Sequence, residues 1–366
     1  MTYKKILSLL AFAAIVFVTP VSAETTATDP KETAETAVAE KSTGVPNETH
    51  PRDEKYVEEK GVPAFQILER IEIITYGNVQ GGGLLPRLNR IEKDLFGRPL
   101  PGSLTERQTA MLNFLEKGTA SQPSLLFKLS VIEWAVVKQA YPNMPLMKRI
   151  DMMESITEGV VQGGAYASRI ERLLVKVLPD GVVSTKITLP KSVVVKTALT
   201  KTLSVKNTKV NDIVVLKLIS DVIVENNLVA PKGSRVFAHV TKVRPPRSFG
   251  RPSEIEIAFD KLEVITPQIV DVAMGESAKK AQETDINMYG AAGASFAGAI
   301  LLGPVGLAGG FLVRGSDKQL QEGTLFYLET ATSDDVTSYK IPEHISSLVI
   351  SGDVIQPQGA TPENKE

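Results

Sequence analysis

The chain has 366 residues, more than a single hydrophobic core usually organises, so its length predicts two domains or one domain with appendages. Hydrophobic residues make up 43% and charged residues 23%, which excludes a wholly disordered chain and a multi-span membrane protein. The chain has a formal net charge of -1 and therefore lacks the excess of basic residues that non-specific nucleic-acid binding requires. We expect no nucleic-acid partner. The absence of cysteine excludes disulfides, thiol catalysis and thiolate-held metals.

Residues 1–23 have the pattern of a secretory signal peptide. Two lysines precede an uncharged apolar run, and Val21-Ser22-Ala23 supplies the small residues that signal peptidase accepts, so cleavage after Ala23 is predicted. The alternative, an N-terminal anchor helix, needs about 20 apolar residues to cross a bilayer, and this run is shorter. We therefore expect an exported bacterial protein of the cell envelope, located in the periplasm or associated with the outer membrane.

Residues 24–60 are rich in Thr, Glu and Ala and contain almost no large apolar side chains. Such a segment cannot bury enough surface to offset the entropy lost on ordering, which predicts a disordered acidic linker. His50 lies in this stretch without a companion ligand, so a solvated loop histidine is the favoured interpretation over a metal ligand.

Residues 61–180 show helical spacing of apolar side chains, and a short pattern near their start recurs near their end. We interpret the region as a helical bundle of about five helices containing an internal repeat, with a packing or partner-docking role. Each copy predicts a helix, a glycine-rich turn and a second helix. The matching positions are Glu72, Gly77, Val79 to Gly82, Arg87 and Arg90 in the first copy, and Glu154, Gly159, Val161 to Gly164, Arg169 and Arg172 in the second.

The glycine pairs of these turns follow helical patterns rather than a strand and lack the lysine of a phosphate loop, so they are interpreted as helix stops. The charged stretches Arg90–Lys93 and Arg169–Arg172 are interpreted as a solvated helix face. Ser103-Leu104-Thr105-Glu106 matches a capping box that opens another helix. Trp134 lies among leucines and valines, which favours a place in the core.

Residues 181–340 change to short β-branched runs separated by turn residues, which predicts a small β-barrel or sandwich. The fold class expected is therefore α+β and multi-domain, with helices first and strands second. Residues 341–366 are expected to form a flexible tail. The predicted strands are Val193–Val195, Ile213–Leu218, Val222–Val224, Val236–Val243 and Ile255–Phe259, with turns at Asn207, Asn226-Asn227 and Lys232-Gly233.

Three segments carry a resemblance to a known family: Leu228–Val236, Arg247–Ile255 and Glu322–Phe326. Their order resembles the C-terminal barrel of the outer-membrane channel subunits of type IV secretion, the conjugative-transfer family. The resemblance covers roughly residues 186–330. It implies an exported β-barrel with a helical hairpin inserted before the last strands, and a role in secretion; the family has no counterpart of the helical repeat.

Residues 288–313 contain no charge and are long enough to cross a bilayer. Gly303-Pro304 breaks the segment near its middle, which predicts a hairpin of two short helices. A hairpin packed on its own domain is one interpretation, and association with a membrane through an oligomer is the other, because small residues let helices approach closely. The candidate residues of this glycine-zipper pattern are Gly290, Ala294, Gly298, Gly303, Pro304, Gly306 and Gly310.

Arg244, Arg247 and Arg251 form a local basic cluster in a predicted loop. The cluster is a candidate contact for outer-membrane lipid headgroups or anionic cell-wall polymer, and the alternative is a solvated hairpin loop. His239 and His344 each lack a neighbouring histidine or carboxylate at metal-ligand spacing. With no hydrolase or cofactor motif in the sequence, we expect no catalytic residue, no metal and no cofactor.

The favoured hypothesis is a non-enzymatic structural or assembly protein of the cell envelope. It would dock an envelope partner through the helical repeat, and it would self-associate or attach to a membrane through the apolar segment. The first alternative is a subunit of an outer-membrane secretion or transport channel. The second alternative is an envelope enzyme such as a wall hydrolase, which has only the predicted compartment in its favour.

Overall fold

The computed structural model describes residues 63–119, 121–245, 253–290, 311–315 and 319–343. Helices occupy the first part of this range and antiparallel strands the second, which confirms the expected α+β class. The predicted signal peptide with Ala23, the linker with His50 and residues 344–366 of the predicted tail lie outside the described residues. Ile341, predicted to begin the flexible tail, is instead 1% exposed and donates its N–H to the carbonyl of Asn226.

Six α-helices of similar length fill residues 64–177, one more than the sequence suggested. Short turns separate them, and a π-helical turn at Asn113–Lys117 continues the third. The helices are α1 (Ala64–Tyr76), α2 (Leu84–Phe96), α3 (Leu104–Leu112), α4 (Leu125–Val137), α5 (Leu146–Glu158) and α6 (Tyr166–Val177).

Local sequence explains where these helices begin and end. Ser103 Oγ accepts a hydrogen bond from the N–H of Glu106, whose carboxylate accepts one from the N–H of Ser103, so the capping box at α3 is confirmed. Gly77, Gly97 and Gly159 follow α1, α2 and α5 in the left-handed conformation that glycine adopts without steric cost. The helix stops therefore lie several residues before the paired glycines to which the sequence interpretation assigned them.

The bundle packs around α4, which is buried at every position from Leu125 to Trp134. Such all-round burial is typical of a helix at the centre of a core. Gly77 at the end of α1 lies against Pro145 at the start of α5, so the end of α1 meets the start of α5. Trp134 is fully buried, as expected from the sequence.

Within the described residues, eleven strands follow these six helices, and six of the strands close into an antiparallel barrel. The barrel order is β6-β3-β2-β10-β8-β7, and pairing of β6 with β7 closes it. The strands are β1 (Ser184–Leu189), β2 (Val194–Leu199), β3 (Ile213–Leu218), β4 (Val222–Val224), β5 (Asn227–Ala230), β6 (Arg235–Arg244), β7 (Ser253–Glu263), β8 (Ile269–Ala273), β9 (Phe311–Gly315), β10 (Leu325–Thr330) and β11 (Asp334–Lys340).

The predicted turn at Asn226-Asn227 is displaced by one position. Glu225 and Asn226 both have positive φ and form the two-residue loop of a β4–β5 hairpin, which leaves Asn227 as the first residue of β5. Residues 228–230, interpreted from the sequence as part of a turn, are therefore strand. Their side chains are fully buried because β5 lies between β4 and β11 in a second sheet of order β1-β11-β5-β4.

The second sheet joins the strands to the helical bundle. Leu228 and Tyr339 belong to the same hydrophobic core as α4, and the Tyr339 ring meets the Trp134 ring edge-on with centroids 6.1 Å apart. Asp221 adds a polar link, because its carboxylate accepts hydrogen bonds from Trp134 Nε1 at 2.8 Å and from the N–H of Lys232 at 2.6 Å. Helices and strands thus share one packed boundary.

The two ends of the predicted apolar hairpin belong to different secondary-structure elements. A seventh helix, α7 (Glu276–Gly290), runs up to Gly290, whereas Phe311–Val313 belong to strand β9. The expectation that helix extends to residue 313 is wrong, because residues 311–315 pair in register with β7 at residues 253–257. The candidate residues from Ala294 to Gly310 lie outside the described residues. Among the residues described, no helix has both the length and the apolar character needed to cross a bilayer.

Replacing Asp221 with Ala is expected to lower the free energy of unfolding by about 2–3 kcal/mol, because the indole N–H of Trp134 stays buried without its acceptor. Urea unfolding followed by fluorescence measures this directly, since Trp134 is the only tryptophan in the chain. Glu322→Ala, at an exposed turn, is the control and should change stability by no more than about 0.5 kcal/mol. Equal urea midpoints for both variants would contradict the role of Asp221.

Candidate functional site

Four of the helix-to-helix connections share one arrangement, which we call a Glu–Arg turn. Each begins with a buried glutamate in the penultimate helical turn of one helix. Each ends with an arginine at the fourth position of the next helix. The pairs are Glu72–Arg87 around turn A (77–83), Glu92–Arg107 around turn B (97–103), Glu133–Arg149 around turn C (138–145) and Glu154–Arg169 around turn D (159–165).

The contacts within the four turns are the same. The arginine Nε and Nη2 atoms donate to the two carboxylate oxygens at distances between 2.6 and 3.1 Å. The backbone N–H of the residue eight positions after the glutamate donates to the same carboxylate at 2.8–3.2 Å. All four glutamates are 0% exposed, so each buried charge is paired in a bidentate manner and also fixes the turn backbone.

Sequence reasoning found only part of this arrangement. The recurring pattern in the sequence includes turns A and D, but turns B and C went unnoticed. The interpretation of Arg90–Lys93 and Arg169–Arg172 as a solvated face is wrong for Glu92, which is fully buried, and for Arg169, which is 5% exposed. A search for Glu and Arg at one constant separation would have found turns A, B and D, whereas the separation in turn C is longer by one position.

The paired partners also shift each other's ionisation. Burial alone would raise the pKa of Glu154, but hydrogen bonds from Arg169 and from the N–H of Gln162 hold that pKa below its ordinary value. The hydrogen bond to Glu72 raises the pKa of Arg87, and the bond to Glu92 does the same for Arg107. The carboxylate of Glu154 is therefore a structural anion and not a proton donor near neutral pH.

Turn C differs from the others in that it contacts the β-strands. The N–H of Ala140 donates to the carbonyl oxygen of Lys232 at 2.7 Å, and Gly233 packs so closely that a Cβ there would collide with the carbonyl of Ala140. A cavity of about 20 Å³ lies beside this contact and is lined by Ser130, Arg149 and other side chains. It has room for about one water molecule and is too small for an organic substrate.

Turns A and D present apolar side chains to solvent instead. Val79 in turn A is 46% exposed and Val161 in turn D is 48% exposed. The glycines beside them have open space where a side chain would project, among them Gly81, Gly82, Gly163 and Gly164. These two turns are the candidate docking surfaces of the helical part.

The predicted basic cluster is only partly described. Arg244 at the end of β6 is 66% exposed and pairs with Glu254 at 3.3 Å, while Arg247 and Arg251 lie outside the described residues. Lys242 pairs with Glu254 and Glu256, so acidic residues accompany the basic ones on this ribbon.

Among the residues that the structure describes, His239 has a single carboxylate neighbour in space. Its Nδ1 lies 2.8 Å from Asp260 on the adjacent strand, because the register of β6 and β7 places His239 opposite Ala258, close to Asp260 along β7. In the described part of the chain, no group of three or more His, Asp or Glu residues could hold a metal ion.

Comparisons with known proteins give a weak structural similarity. No family model matches the sequence, and no curated protein matches it. Among solved structures, ComB10 of the Com type IV secretion system of Helicobacter pylori is similar with 12% sequence identity and a TM-score of 0.20. The match covers 40% of this chain and 88% of that chain.

Breaking one Glu–Arg turn is expected to be strongly destabilising. Glu133→Gln and Arg149→Met should each lower the free energy of unfolding by about 3–5 kcal/mol, because each leaves the other group buried without its charged partner. The double variant should lose less than the sum of the single losses. Urea unfolding followed by circular dichroism measures all three. Asp151→Asn, which affects a partly exposed partner of Arg169, is the control and should cost under about 1 kcal/mol.

The depressed pKa of Glu154 predicts acid sensitivity. Its contribution to stability is complete above the pKa of an unfolded glutamate, about 4.3, and is lost as pH falls through the lower folded value. We expect the free energy of unfolding to decrease as the pH is lowered below about 4. The fall should be smaller in Glu154→Gln, whose side chain does not titrate, and unfolding curves at several pH values measure the difference. An identical pH dependence in both proteins would contradict this assignment.

Proposed function

We propose that the chain is a non-enzymatic structural or assembly protein of the bacterial cell envelope. In this proposal it is exported, docks an envelope partner through its helical turns, and self-associates or attaches to a membrane through the apolar segment 288–313. The observation that carries the proposal is that a closed barrel holds both ends of this uncharged segment.

The first end is held through α7. Glu329 on β10 accepts a hydrogen bond from the N–H of Ala278 at 2.9 Å, so a buried carboxylate lies at the start of the helix, where negative charge is favourable. Further along, Asp285 accepts a hydrogen bond from the hydroxyl of Tyr327 at 2.7 Å and pairs with Lys196 at 2.9 Å. Helix α7 is thus fastened to β10 and β2 at two points.

The second end is held through β9. This strand pairs with the first half of β7, from Ile257 opposite Phe311 to Ser253 opposite Gly315. Residues 291–310 connect these two held ends and carry no charge. Because the elements on either side of the segment are fixed to the barrel, the segment would begin and end at defined positions on it. Such an arrangement suits a segment through which copies of the protein assemble.

We further propose that the four Glu–Arg turns are copies of one short repeat, a single helix with the turn that follows it. Three nearly equal separations between successive glutamates or arginines support this, from Glu72 to Glu92, from Arg87 to Arg107 and from Glu133 to Glu154. The sequence match between turns A and D then spans four such units. Repeated turns with the same contacts suit a role in binding partners rather than in catalysis.

A second candidate is a subunit of an outer-membrane secretion or transport channel. The feature that favours it is the insertion of the uncharged segment between a helix and a strand that both lie on the barrel, before its last strand β10. The two candidates differ in one measurable property, because a channel requires a ring with a defined number of copies.

The test compares the full chain with a variant in which residues 291–310 are replaced by a Gly-Ser linker of the same length. We expect the full chain in the membrane fraction, or as an oligomer in detergent, and the variant to be soluble and monomeric. The matched control replaces residues 31–50 of the acidic linker in the same way and should behave like the full chain. A full chain that is soluble and monomeric would overturn the proposal, and particles of fixed copy number would favour the channel.

A further inference from the structure

Turn C shows what a Glu–Arg turn can bind. The residue seven positions after the glutamate, Ala140, donates its backbone N–H to the carbonyl of Lys232, and Gly233 packs against the carbonyl of Ala140. Pro231, Lys232 and Gly233 form the tight connection between β5 and β6. In turn C, therefore, a connection between two helices binds a β-turn through one backbone hydrogen bond and one close backbone contact.

The equivalent residues of the other three turns are Val79, Pro99 and Val161, each seven positions after its glutamate. Pro99 has no N–H, so turn B cannot bind in this way. Within the part of the chain that the structure describes, the N–H groups of Val79 and Val161 donate no hydrogen bond. Turns A and D thus retain the donor that turn C uses.

The surroundings of these two donors are open. Val79 and Val161 are about half exposed, whereas Ala140 in the occupied turn is 3% exposed. Gly81 and Gly82 in turn A and Gly163 and Gly164 in turn D leave free space beside the donors, which permits another backbone to approach. The valine side chains add apolar surface that a partner would cover.

We propose that turns A and D each receive a β-turn of a partner protein, whose carbonyl accepts the N–H of Val79 or Val161 and whose next residue is glycine. The chain's own Pro231–Gly233 turn cannot serve as this ligand in a second copy, because it already lies on turn C. The partner is thus defined by its chemistry, a β-turn in which glycine follows the accepting carbonyl. This inference rests on the proposed docking function of the helical turns and specifies the chemistry of the partner.

The probe is a cyclic peptide with the sequence of residues 228–236, which contains the β-turn bound by turn C. It is added to the full chain without its predicted signal, labelled with ¹⁵N-valine, and the amide resonances are followed by NMR. We expect saturable shifts at Val79 and Val161 with a Kd of about 1 mM, a weak affinity because one turn supplies few contacts. Resonances that do not move at about ten times that concentration would overturn the proposal.

Variants separate the backbone donor from the side chain. Val79→Pro and Val161→Pro remove the N–H, and the proline of turn B shows that this turn geometry accepts the residue. Each should abolish the shifts at its own turn and leave the other turn unchanged. Val79→Ala and Val161→Ala keep the donor and should retain binding at their turns. Folding of each variant is checked by circular dichroism, and binding unaffected by proline would contradict the proposed contact.

Two further controls test the ligand. A peptide with Gly233→Val should not bind, because the added side chain would collide with the turn carbonyl as it would in turn C. Inorganic phosphate tests whether the open N–H groups bind anions, and shifts with phosphate but not with peptide would overturn the proposal. The titration does not depend on membrane recovery, so loss of peptide binding with membrane association intact refutes the docking chemistry alone.

Discussion

The arrangement of the helical part depends on burying four glutamates. A carboxylate removed from water is costly unless a counter-charge and hydrogen bonds compensate it. At each Glu–Arg turn, the arginine of the following helix supplies the counter-charge and the turn backbone supplies one more donor. The pair therefore specifies the backbone of the turn and the relative placement of the two helices it connects. Removing either partner affects both at once.

This dependence extends to the strands through turn C. The carboxylate of Glu133 fixes the N–H of Tyr141, and the adjacent N–H of Ala140 is then available to Lys232. Asp221 continues the link, since it accepts hydrogen bonds from both Lys232 and Trp134. A chain of polar contacts thus runs from the centre of the bundle to the β5–β6 connection. The barrel is positioned by the same interaction that shapes the helices.

The sequence was informative where β-branched residues cluster in a short run. Ile213–Leu218 is recognisable as a strand because it begins with three consecutive β-branched residues, and its observed limits agree with the prediction. Strands β1 and β11 were missed because Ser184–Leu189 and Asp334–Lys340 are rich in polar residues. They are strands because they pair with each other. They are the first and last of the described strands, and pairing between such distant segments has no local signal in the sequence.

The buried ion pairs illustrate the same limitation for the candidate site. Glu92 and Arg169 look like members of a solvated face, since charged residues on helices usually are. Only their separation along the chain marks them, and two features obscure it. Turn C is longer than the others by one position, and Asn113 and Lys128 occupy the positions where a further pair would be expected between turns B and C.

The positions of turns A and D have a consequence for assembly. Gly77 of turn A lies against Pro145 at the start of α5, and turn D follows the end of α5, so the two turns lie at the two ends of one helix. Helix α5 has 13 residues and is therefore about 20 Å long. Two partners docked as proposed on turns A and D would be held about 20 Å apart by this helix. The helical part would then act as a spacer between them.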